Sequence, residues 1–138
     1  MRGSLGIFKT TCRVYYQDTD AGGIVYHSRY LDFYERARAD WLRQAGLSSS
    51  EIVKDYGVLL VVRNVMASYR QPARLDDEIT VSVDELDLGR AQLTLHQSIT
   101  LNGLILATAN VNLAVVTQQD FTPTRLPEAM REILGGYL

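Results

Sequence analysis

The chain is organised around the twelve residues Tyr16-Gln17-Asp18-Thr19-Asp20-Ala21-Gly22-Gly23-Ile24-Val25-Tyr26-His27, which connect a predicted strand to a long predicted helix. This connection holds two carboxylates, a glycine pair and a histidine, a mixture that core packing seldom requires. Glycine has no Cβ, so Gly22 and Gly23 let the backbone turn tightly and approach a ligand. The helix that follows begins with unpaired N–H groups and the positive end of its dipole, which suit negative charge developing on a substrate. The stretch therefore predicts a carboxylate beside an anion-binding helix terminus, suited to cleaving an activated acyl bond.

Length and composition favour one compact domain over residues 1–138, since the chain has 138 residues and is 46% hydrophobic. The net charge is −2, and the absence of a basic block argues against binding to nucleic acid. A single cysteine, Cys12, cannot form an internal disulfide, which is typical of a reducing compartment. No apolar run approaches the roughly 18 residues that span a bilayer, and residues 1–4 lack the apolar segment of a signal peptide. We therefore predict a cytoplasmic protein.

Hydrophobic periodicity predicts a first strand and one long helix. Residues 8–16 are rich in β-branched and aromatic side chains, which favours a strand. From Ser28 to Ala45 the apolar residues recur at three- and four-residue steps, as on the buried face of a helix. These residues are Tyr30, Phe33, Tyr34, Ala37, Trp41 and Ala45. Ser28 is predicted as the N-cap and Gly46 as the left-handed residue that ends the helix.

The remainder of the chain is predicted to be mostly strand, after a short helix from Ser49 to Tyr56 that Gly57 ends. The next run alternates, with one face formed by Val61, Arg63, Val65, Ala67 and Tyr69. A second run places Ile79, Val81 and Val83 on its apolar face. From Ala91 to Leu101 the alternation is nearly complete, and Gln97 is the one polar residue on the apolar face. These patterns predict strands that each bury one face.

The last part of the chain predicts a hairpin and an interior strand. Asn102-Gly103 is a strong type I′ turn signal, and the strand from Leu104 to Thr117 is apolar on both faces. Pro127 is predicted to open a C-terminal helix at its first position. The order is that of an α+β protein, with a five-stranded antiparallel sheet packed on one long central helix. Apolar surface left on the sheet predicts a homo-oligomer.

Several chemistries lack support in the sequence. The two histidines, His27 and His96, show no metal-ligand spacing, so no metal site is predicted. Cys12 lies within a predicted strand and is expected to behave as a small apolar side chain rather than a nucleophile. Motifs of serine hydrolases and of dinucleotide-binding proteins are absent. Carboxylate chemistry in the opening loop is what remains.

Asp18 and Asp20 are two residues apart, so an extended backbone directs them to opposite faces. Asp20 adjoins the glycine pair and is the better candidate to reach a pocket. The alternative is that the Asp18-Thr19-Asp20 run forms only a solvated Asx-type turn. Likewise, the His27 ring could simply pack against Tyr26 or Tyr30. The residues alone leave both interpretations open.

The chemistry of the leaving group indicates what so small a site could do. Expelling an alkoxide or an amine requires a strong general acid, whereas a thiol has a pKa near ~8.5 and leaves readily as thiolate. One carboxylate, acting as nucleophile or as base for water, and a few oriented N–H donors would suffice for a thioester.

Two motifs carry a resemblance to a known family. The run from Val14 to Tyr30, extended by Phe33–Arg38, resembles the hotdog-fold acyl-CoA thioesterases of the 4-hydroxybenzoyl-CoA thioesterase type. Within them it is most similar to the bacterial Tol–Pal-associated acyl-CoA thioesterases. The later run from Tyr69 to Asp77 also resembles that group.

The resemblance implies a hotdog fold and hydrolysis of an acyl-CoA to free acid and CoA, with CoA as part of the substrate and no cofactor. It implies that Asp20 is the catalytic carboxylate and that His27, or its main-chain N–H, polarises the thioester carbonyl. Gly23 and Tyr26 are predicted substrate-binding residues beside them. It also implies a site between the subunits of a dimer, which is frequently paired into a tetramer.

Contacts with the nucleotide of CoA carry over less directly from the family. Arg63 and Arg90 are weak candidates for them, and for both a solvated arginine is the more ordinary interpretation.

Other functions are compatible with the same residues. One is hydrolysis of an aromatic acyl-CoA such as 1,4-dihydroxynaphthoyl-CoA. Another is a hydroxyacyl-thioester dehydratase that pairs His27 with Glu35, although the Phe-Pro and Pro-Gly stretch of that group is absent. A third is a non-catalytic module that binds acyl thioesters or docks acyl carrier protein.

Overall fold

The computed structural model describes residues 6–138, so the expectation for residues 1–4 lies outside the described residues. Its elements in chain order are β1 (Phe8–Arg13), α1 (His27–Gln44), α2 (Ser49–Tyr56), β2 (Val58–Tyr69), β3 (Glu78–Leu88), β4 (Gln92–Leu101), β5 (Leu104–Thr117) and α3 (Glu128–Gly135). The five strands form one antiparallel sheet in the order β1-β3-β4-β5-β2. One face of this sheet packs on α1, which confirms the predicted α+β class.

The long helix α1 forms because its apolar residues share one face. Five of them are at most 3% exposed, namely Tyr30, Phe33, Tyr34, Ala37 and Trp41. The helix ends where predicted, at a left-handed Gly46 with φ of 79°. Its start differs from the prediction, because the N-cap is Tyr26 and not Ser28. Tyr26 has an extended backbone and donates its N–H to the carbonyl of Asp18 at 3.2 Å, so the preceding loop sets the start of the helix.

The first strand is shorter than predicted. It ends at Arg13, and Tyr16–Asp18 form a short 3-10 turn instead of continuing the strand to residue 16. Val14 still exchanges hydrogen bonds with the segment before β3, accepting from Asp76 and donating to Asp77. Beyond Val14 the Asp18 side chain accepts from the Tyr15 N–H, which turns the chain away from the sheet.

Strand β2 contains a bulge that the alternation did not reveal. Its register against β5 shifts between Val62 and Asn64, so Arg63 is an extra residue. Val65, Ala67 and Tyr69 therefore share a face with Val62, and the prediction that they share one with Val61 and Arg63 is wrong. A bulge of this kind reverses which side chains face the core from that point onward.

Local signals predicted the remaining boundaries well. Helix α2 has the predicted bounds, with a capping box from Ser48 to Glu51 and a left-handed Gly57. The turn Asn102-Gly103 has positive φ at both residues, as a type I′ turn requires, and β5 spans the predicted residues. Pro127 is the N-cap of α3 rather than its first residue. None of the helices within residues 6–138 is long and apolar enough to cross a bilayer.

One amide joins the centre of the sheet to α1. Gln97 on β4 is fully buried, and its Nε2 donates to the carbonyl oxygens of Tyr34 and Ser82. Its Oε1 accepts from Arg38 at 3.1 Å. The polar residue expected on the apolar face of β4 is thus hydrogen-bonded at both ends, as a buried amide must be.

Candidate active site

Asp20 begins a tight turn in the loop ahead of α1. Its carbonyl accepts from the Gly23 N–H at 3.0 Å, and its own N–H donates to Ile24 at 2.9 Å. Its Oδ1 accepts from the Gly22 N–H at 2.8 Å, which makes an Asx-type turn over Asp20–Gly22 and not over the Asp18-Thr19-Asp20 run considered from the sequence. Within residues 6–138 no hydrogen bond is formed by Oδ2 of this half-buried side chain. The turn therefore orients the carboxylate and leaves one oxygen available for chemistry.

The two glycines in this turn have different roles. Gly23 has φ of +78°, a conformation that residues with a Cβ rarely adopt. Gly22 lacks such a backbone, but a Cβ built there would lie 3.2 Å from Oδ1 of Asp20. Gly23 is thus required for its backbone conformation, and Gly22 for the absence of a side chain next to Asp20.

The segment that precedes β3 supports this loop. Val25 donates its N–H to the carbonyl of Ala73 at 2.9 Å, and Leu75 donates to Gly23 at 3.0 Å. The hydroxyl of Tyr30 on α1 accepts from the Ala73 N–H at 3.0 Å. The second motif of the sequence thus lies directly against the first.

Both carboxylate oxygens of Asp18 accept hydrogen bonds that hold the loop in place. It is 3% exposed, and its Oδ1 accepts from both Nε and Nη2 of Arg29, the latter at 2.6 Å. Its Oδ2 accepts from the Tyr15 N–H at 2.9 Å. The hydrogen bond to Asp18 raises the pKa of Arg29 above its usual value. Asp18 has no oxygen left for a substrate, in contrast to Asp20.

The first turn of α1 presents donors next to this loop. His27 is the first residue of the helix and is exposed, and its N–H and that of Ser28 have no backbone acceptor among the described residues. The His27 ring packs edge-on against Tyr69, with ring centroids 4.9 Å apart, rather than against Tyr26 or Tyr30. Tyr69 also donates its hydroxyl to the His27 carbonyl at 3.4 Å. Sequence reasoning missed this contact with Tyr69, because no local pattern links residues 42 positions apart.

The other predicted substrate-binding residues separate into two groups. Gly23 lies in the Asp20 turn, and Tyr26 is 48% exposed at the N-cap of α1. Arg63 is instead hydrogen-bonded to Asn112 and Gln92, on the face of the sheet away from α1. Arg90 is exposed in the β3–β4 turn, at the opposite end of β3 from the loop. The structure brings the first group to the loop and not the second, and a role for either arginine in binding CoA stays a prediction.

Two other potentially reactive side chains, Cys12 and His96, lie outside the loop and contact neighbouring strands. Burial raises the pKa of the half-buried Cys12 thiol, which disfavours the thiolate needed for nucleophilic attack. His96 Nδ1 lies 2.8 Å from Oδ1 of Asn110 on the neighbouring strand. Within residues 6–138, no three or more His, Cys, Asp or Glu side chains cluster in a way that could hold a metal ion.

An open cavity of about 680 Å³ adjoins the loop. It is lined by Tyr15, Tyr16, Gln17, Leu75 and Asp76. Three of these residues belong to the loop and two to the supporting segment before β3. Its lining includes neither Asp20 nor the residues at the start of α1.

Comparison with known proteins identifies the family. Residues 14–134 match the Thioesterase-like superfamily. The chain belongs to this family. It is therefore an enzyme of the thioesterase class, and the hotdog fold expected from the resemblance is confirmed.

Among its relatives is the acyl-CoA thioesterase YbgC of Haemophilus influenzae, which is 35% identical over 124 residues, or 90% of this chain and 91% of the relative. The acyl-CoA thioester hydrolase YbgC of Escherichia coli O6:H1 is 36% identical over 125 residues, or 90% and 92%. A probable thioesterase from Bartonella henselae has a similar crystal structure, with a TM-score of 0.80 and 32% identity, covering 86% of this chain and 98% of that one.

Replacing Asp18 is expected to affect stability far more than replacing Asp20. Asp18→Ala leaves the partly buried Arg29 side chain and the Tyr15 N–H without their acceptor, which should lower the free energy of unfolding by about 2 kcal/mol. Asp20→Asn retains an oxygen that accepts from the Gly22 N–H, so it should change the free energy of unfolding by less than about 0.5 kcal/mol. Urea unfolding followed by circular dichroism measures both. Equal effects of the two substitutions would show that the Asp18 contacts do not hold the loop.

Proposed function

We propose that the chain hydrolyses acyl-CoA thioesters and that Asp20 is its catalytic carboxylate. The observation that carries the proposal is the unequal use of the two Asp20 oxygens. Oδ1 accepts from the Gly22 N–H, while Oδ2 forms no hydrogen bond among the described residues. The names of the relatives, which are acyl-CoA thioesterases, support the choice of substrate class.

In this mechanism Asp20 either attacks the thioester carbonyl carbon or removes a proton from the water that attacks it. Negative charge develops on the carbonyl oxygen, and the C–S bond then breaks to release CoA as thiolate. In the first route, water subsequently hydrolyses the resulting anhydride. Either route consumes one water and yields the free acid and CoA. No strong general acid is needed, because a thiolate is a good leaving group.

The start of α1 is proposed to stabilise the carbonyl oxygen. The N–H groups of His27 and Ser28 have no backbone acceptors, and they lie at the positive end of the helix dipole. Tyr69 restrains His27 through the ring contact and through its hydroxyl. Gly23 and Tyr26 are proposed to contact the acyl thioester, since they flank the Asp20 turn and the helix start.

The enzyme is proposed to act as a homo-oligomer, built from dimers and with a tetramer as the larger assembly. Strand β2 has a neighbour, β5, on one side only. Its exposed apolar side chains include Val62 at 49% and Met66 at 73%. A 12-residue edge strand with such side chains tends to pair with another chain.

Asp20→Asn is expected to lower kcat by about 10²- to 10⁴-fold, because an amide neither attacks the carbonyl nor accepts a proton from water. The measurement is release of CoA thiol from a short acyl-CoA, such as acetyl-CoA or butyryl-CoA. Asp120→Asn is the matched control, since Asp120 is exposed in the β5–α3 connection and its side chain forms no hydrogen bond among the described residues. Near wild-type turnover by Asp20→Asn would reject Asp20 as the catalytic carboxylate.

Two substitutions at His27 separate the imidazole from the main-chain donor. His27→Ala keeps the N–H, whereas His27→Pro removes it at the first helical position, where proline is well tolerated and the preceding Tyr26 is already extended. If the N–H serves the oxyanion, His27→Pro should lower kcat a further ~10²- to 10³-fold below His27→Ala. Equal kcat values for the two variants would exclude this N–H from the oxyanion site. Circular dichroism checks that both variants keep the helix.

Substrate class can be tested with a panel of thioesters. Among the thioesterases that the chain resembles, Tyr26-His27 is more similar to the short-chain enzymes than to the benzoyl type. We therefore propose that short aliphatic acyl-CoAs give a higher kcat/KM than hydroxybenzoyl-CoA or 1,4-dihydroxynaphthoyl-CoA. The reverse order would favour an aromatic substrate. Binding of acyl-CoA with no turnover of any member would favour the acyl-thioester-binding module, and hydration of crotonyl-CoA would favour the dehydratase.

A further inference from the structure

A groove between α1 and β2 leads away from the start of the helix. His27, Leu31 and Arg38 form its wall on α1, since steps of four and seven residues place them on one face of the helix. A cavity of about 180 Å³ is bordered by Leu31 and Arg38, and a second of about 310 Å³ continues from Arg38 to Leu42. This face of the helix therefore connects the first turn of α1 to Arg38.

Strand β2 forms the opposite wall. Tyr69 contacts the His27 ring at one end of the groove, with ring centroids 4.9 Å apart. Val65 and Val62, which share a face with Tyr69, border the smaller cavity together with Leu31. Every side chain that β2 and β5 contribute to the two cavities is a valine or a leucine. The sheet side of the groove is thus apolar, and the groove begins beside the helix start that is proposed to bind the thioester carbonyl.

Arg38 is a buried cation where the two cavities meet. It is 8% exposed, and its one hydrogen bond among the described residues goes from Nη1 to Oε1 of Gln97. A guanidinium has five N–H donors, and no carboxylate of residues 6–138 lies within 4.0 Å of it. Burial lowers the pKa of Arg38, because a charge removed from water is destabilised. Arg38 therefore has unused donors and calls for an anion from outside the chain.

The other polar residues that border the smaller cavity do not supply this anion. Asp32 lies 3.1 Å from Arg29, and Glu35 is exposed and forms no ion pair among the described residues. The charge of Glu35 opposes the lowering of the Arg38 pKa from more than 4.0 Å away. Tyr34 is 1% exposed, and its hydroxyl has no hydrogen-bond partner among residues 6–138. Two buried side chains with unused donors thus border one small cavity.

We propose that this groove binds the acyl group of the substrate and that Arg38 binds a carboxylate at the far end of that group. The preferred substrates are then aliphatic acyl-CoAs that carry a terminal carboxylate. Hydrolysis consumes one water and yields a dicarboxylic acid and CoA. The inference rests on the proposed function, since it takes the thioester carbonyl to lie at the start of α1.

The length of the groove sets the length of the acyl group. Arg38 lies 11 residues after His27. This step is about 16 Å along the helix, and the arginine side chain leans back toward the helix start. The remaining span of roughly 10 Å suits an extended acyl group of about six to eight carbons, since an extended chain advances about 1.2 Å per bond. The valines and leucines of the groove would cover its methylene groups.

The test compares adipoyl-CoA with hexanoyl-CoA, whose six-carbon acyl groups differ only in a terminal carboxylate in place of a methyl group. Release of CoA thiol gives kcat/KM for each. The wild-type chain should prefer adipoyl-CoA by at least about tenfold, because Arg38 gives the carboxylate charge-assisted hydrogen bonds. A groove in which Arg38 is covered by another chain would favour hexanoyl-CoA, because the carboxylate would be buried unpaired. A wild-type chain without the preference for adipoyl-CoA would overturn the inference.

Substitutions at Arg38 test the residue itself. Arg38→Gln removes the charge and should lower kcat/KM for adipoyl-CoA at least about 30-fold, while that for hexanoyl-CoA changes less than about threefold. Arg38→Lys restores the charge and should recover part of the preference. Arg36→Gln is the matched control, since Arg36 is exposed on the same helix and forms no ion pair among the described residues. An Arg38→Gln variant that discriminates like Arg36→Gln would overturn the inference.

Binding to the wild-type chain decides the matter if the variants do not fold or if the chain hydrolyses no acyl-CoA. Monomethyl adipate carries an ester at one end and a carboxylate at the other, whereas methyl hexanoate lacks the carboxylate. Isothermal titration calorimetry should give a dissociation constant for monomethyl adipate at least about tenfold below that for methyl hexanoate. Equal constants would contradict the role of Arg38. Selective binding without turnover of any thioester would support that role and reject only the proposed activity.

Discussion

The partly buried ion pair between Asp18 and Arg29 is the interaction on which the loop ahead of α1 depends. It joins the first turn of α1 to the loop, and through the Tyr15 N–H it also fixes the point at which the chain leaves β1. A carboxylate that is 3% exposed is stable only if its oxygens are paired, and here both oxygens are. This anchoring acts together with the hydrogen bonds from residues 73–75 to hold the loop against the start of α1.

The pairing also distinguishes two neighbouring carboxylates by their contacts. Arg29 neutralises Asp18 and contacts Asp32 one turn further along the helix, at 3.1 Å. Asp20 is left as the carboxylate of the loop without a cationic partner among the described residues. The charge of Asp18 is therefore neutralised within the fold, while that of Asp20 is not. Two acidic residues in one short loop need not share a reaction.

The elements that could be predicted from the sequence are those that local chemistry determines. Helix α2 has a capping box and a terminal glycine, and the β4–β5 hairpin has an Asn-Gly turn, so both were placed to the residue. The start of α1 was misplaced because its cap is formed by hydrogen bonds from a loop that residues 73–75 hold in position. The bulge at Arg63 was missed because it depends on the register of β5, which alternation within β2 does not reveal.

The same distinction applies to the candidate site. The expected separation of Asp18 from Asp20 assumed an extended backbone, but Tyr16–Asp18 form a 3-10 turn. The glycine pair marked the turn at Asp20, since it is a property of consecutive residues. The contact of Tyr69 with His27 and the hydrogen bond from Ala73 to Tyr30 join distant parts of the chain. Arg29 could have been found, because a base in the first turn of a helix opposes the helix dipole and indicates a nearby acid.

The unlike glycines of the Asp20 turn bear on how such a loop can change over evolution. Gly23 is constrained by its backbone, so a replacement there acts on folding whatever its side chain. Gly22 is constrained by the room beside a carboxylate oxygen, so a replacement there would leave the backbone relaxed and act on the orientation of the Asp20 side chain. Selection for stability would then act at Gly23, and selection on the Asp20 side chain at Gly22. A change at Gly22 could alter the orientation of Asp20 while the fold stays intact.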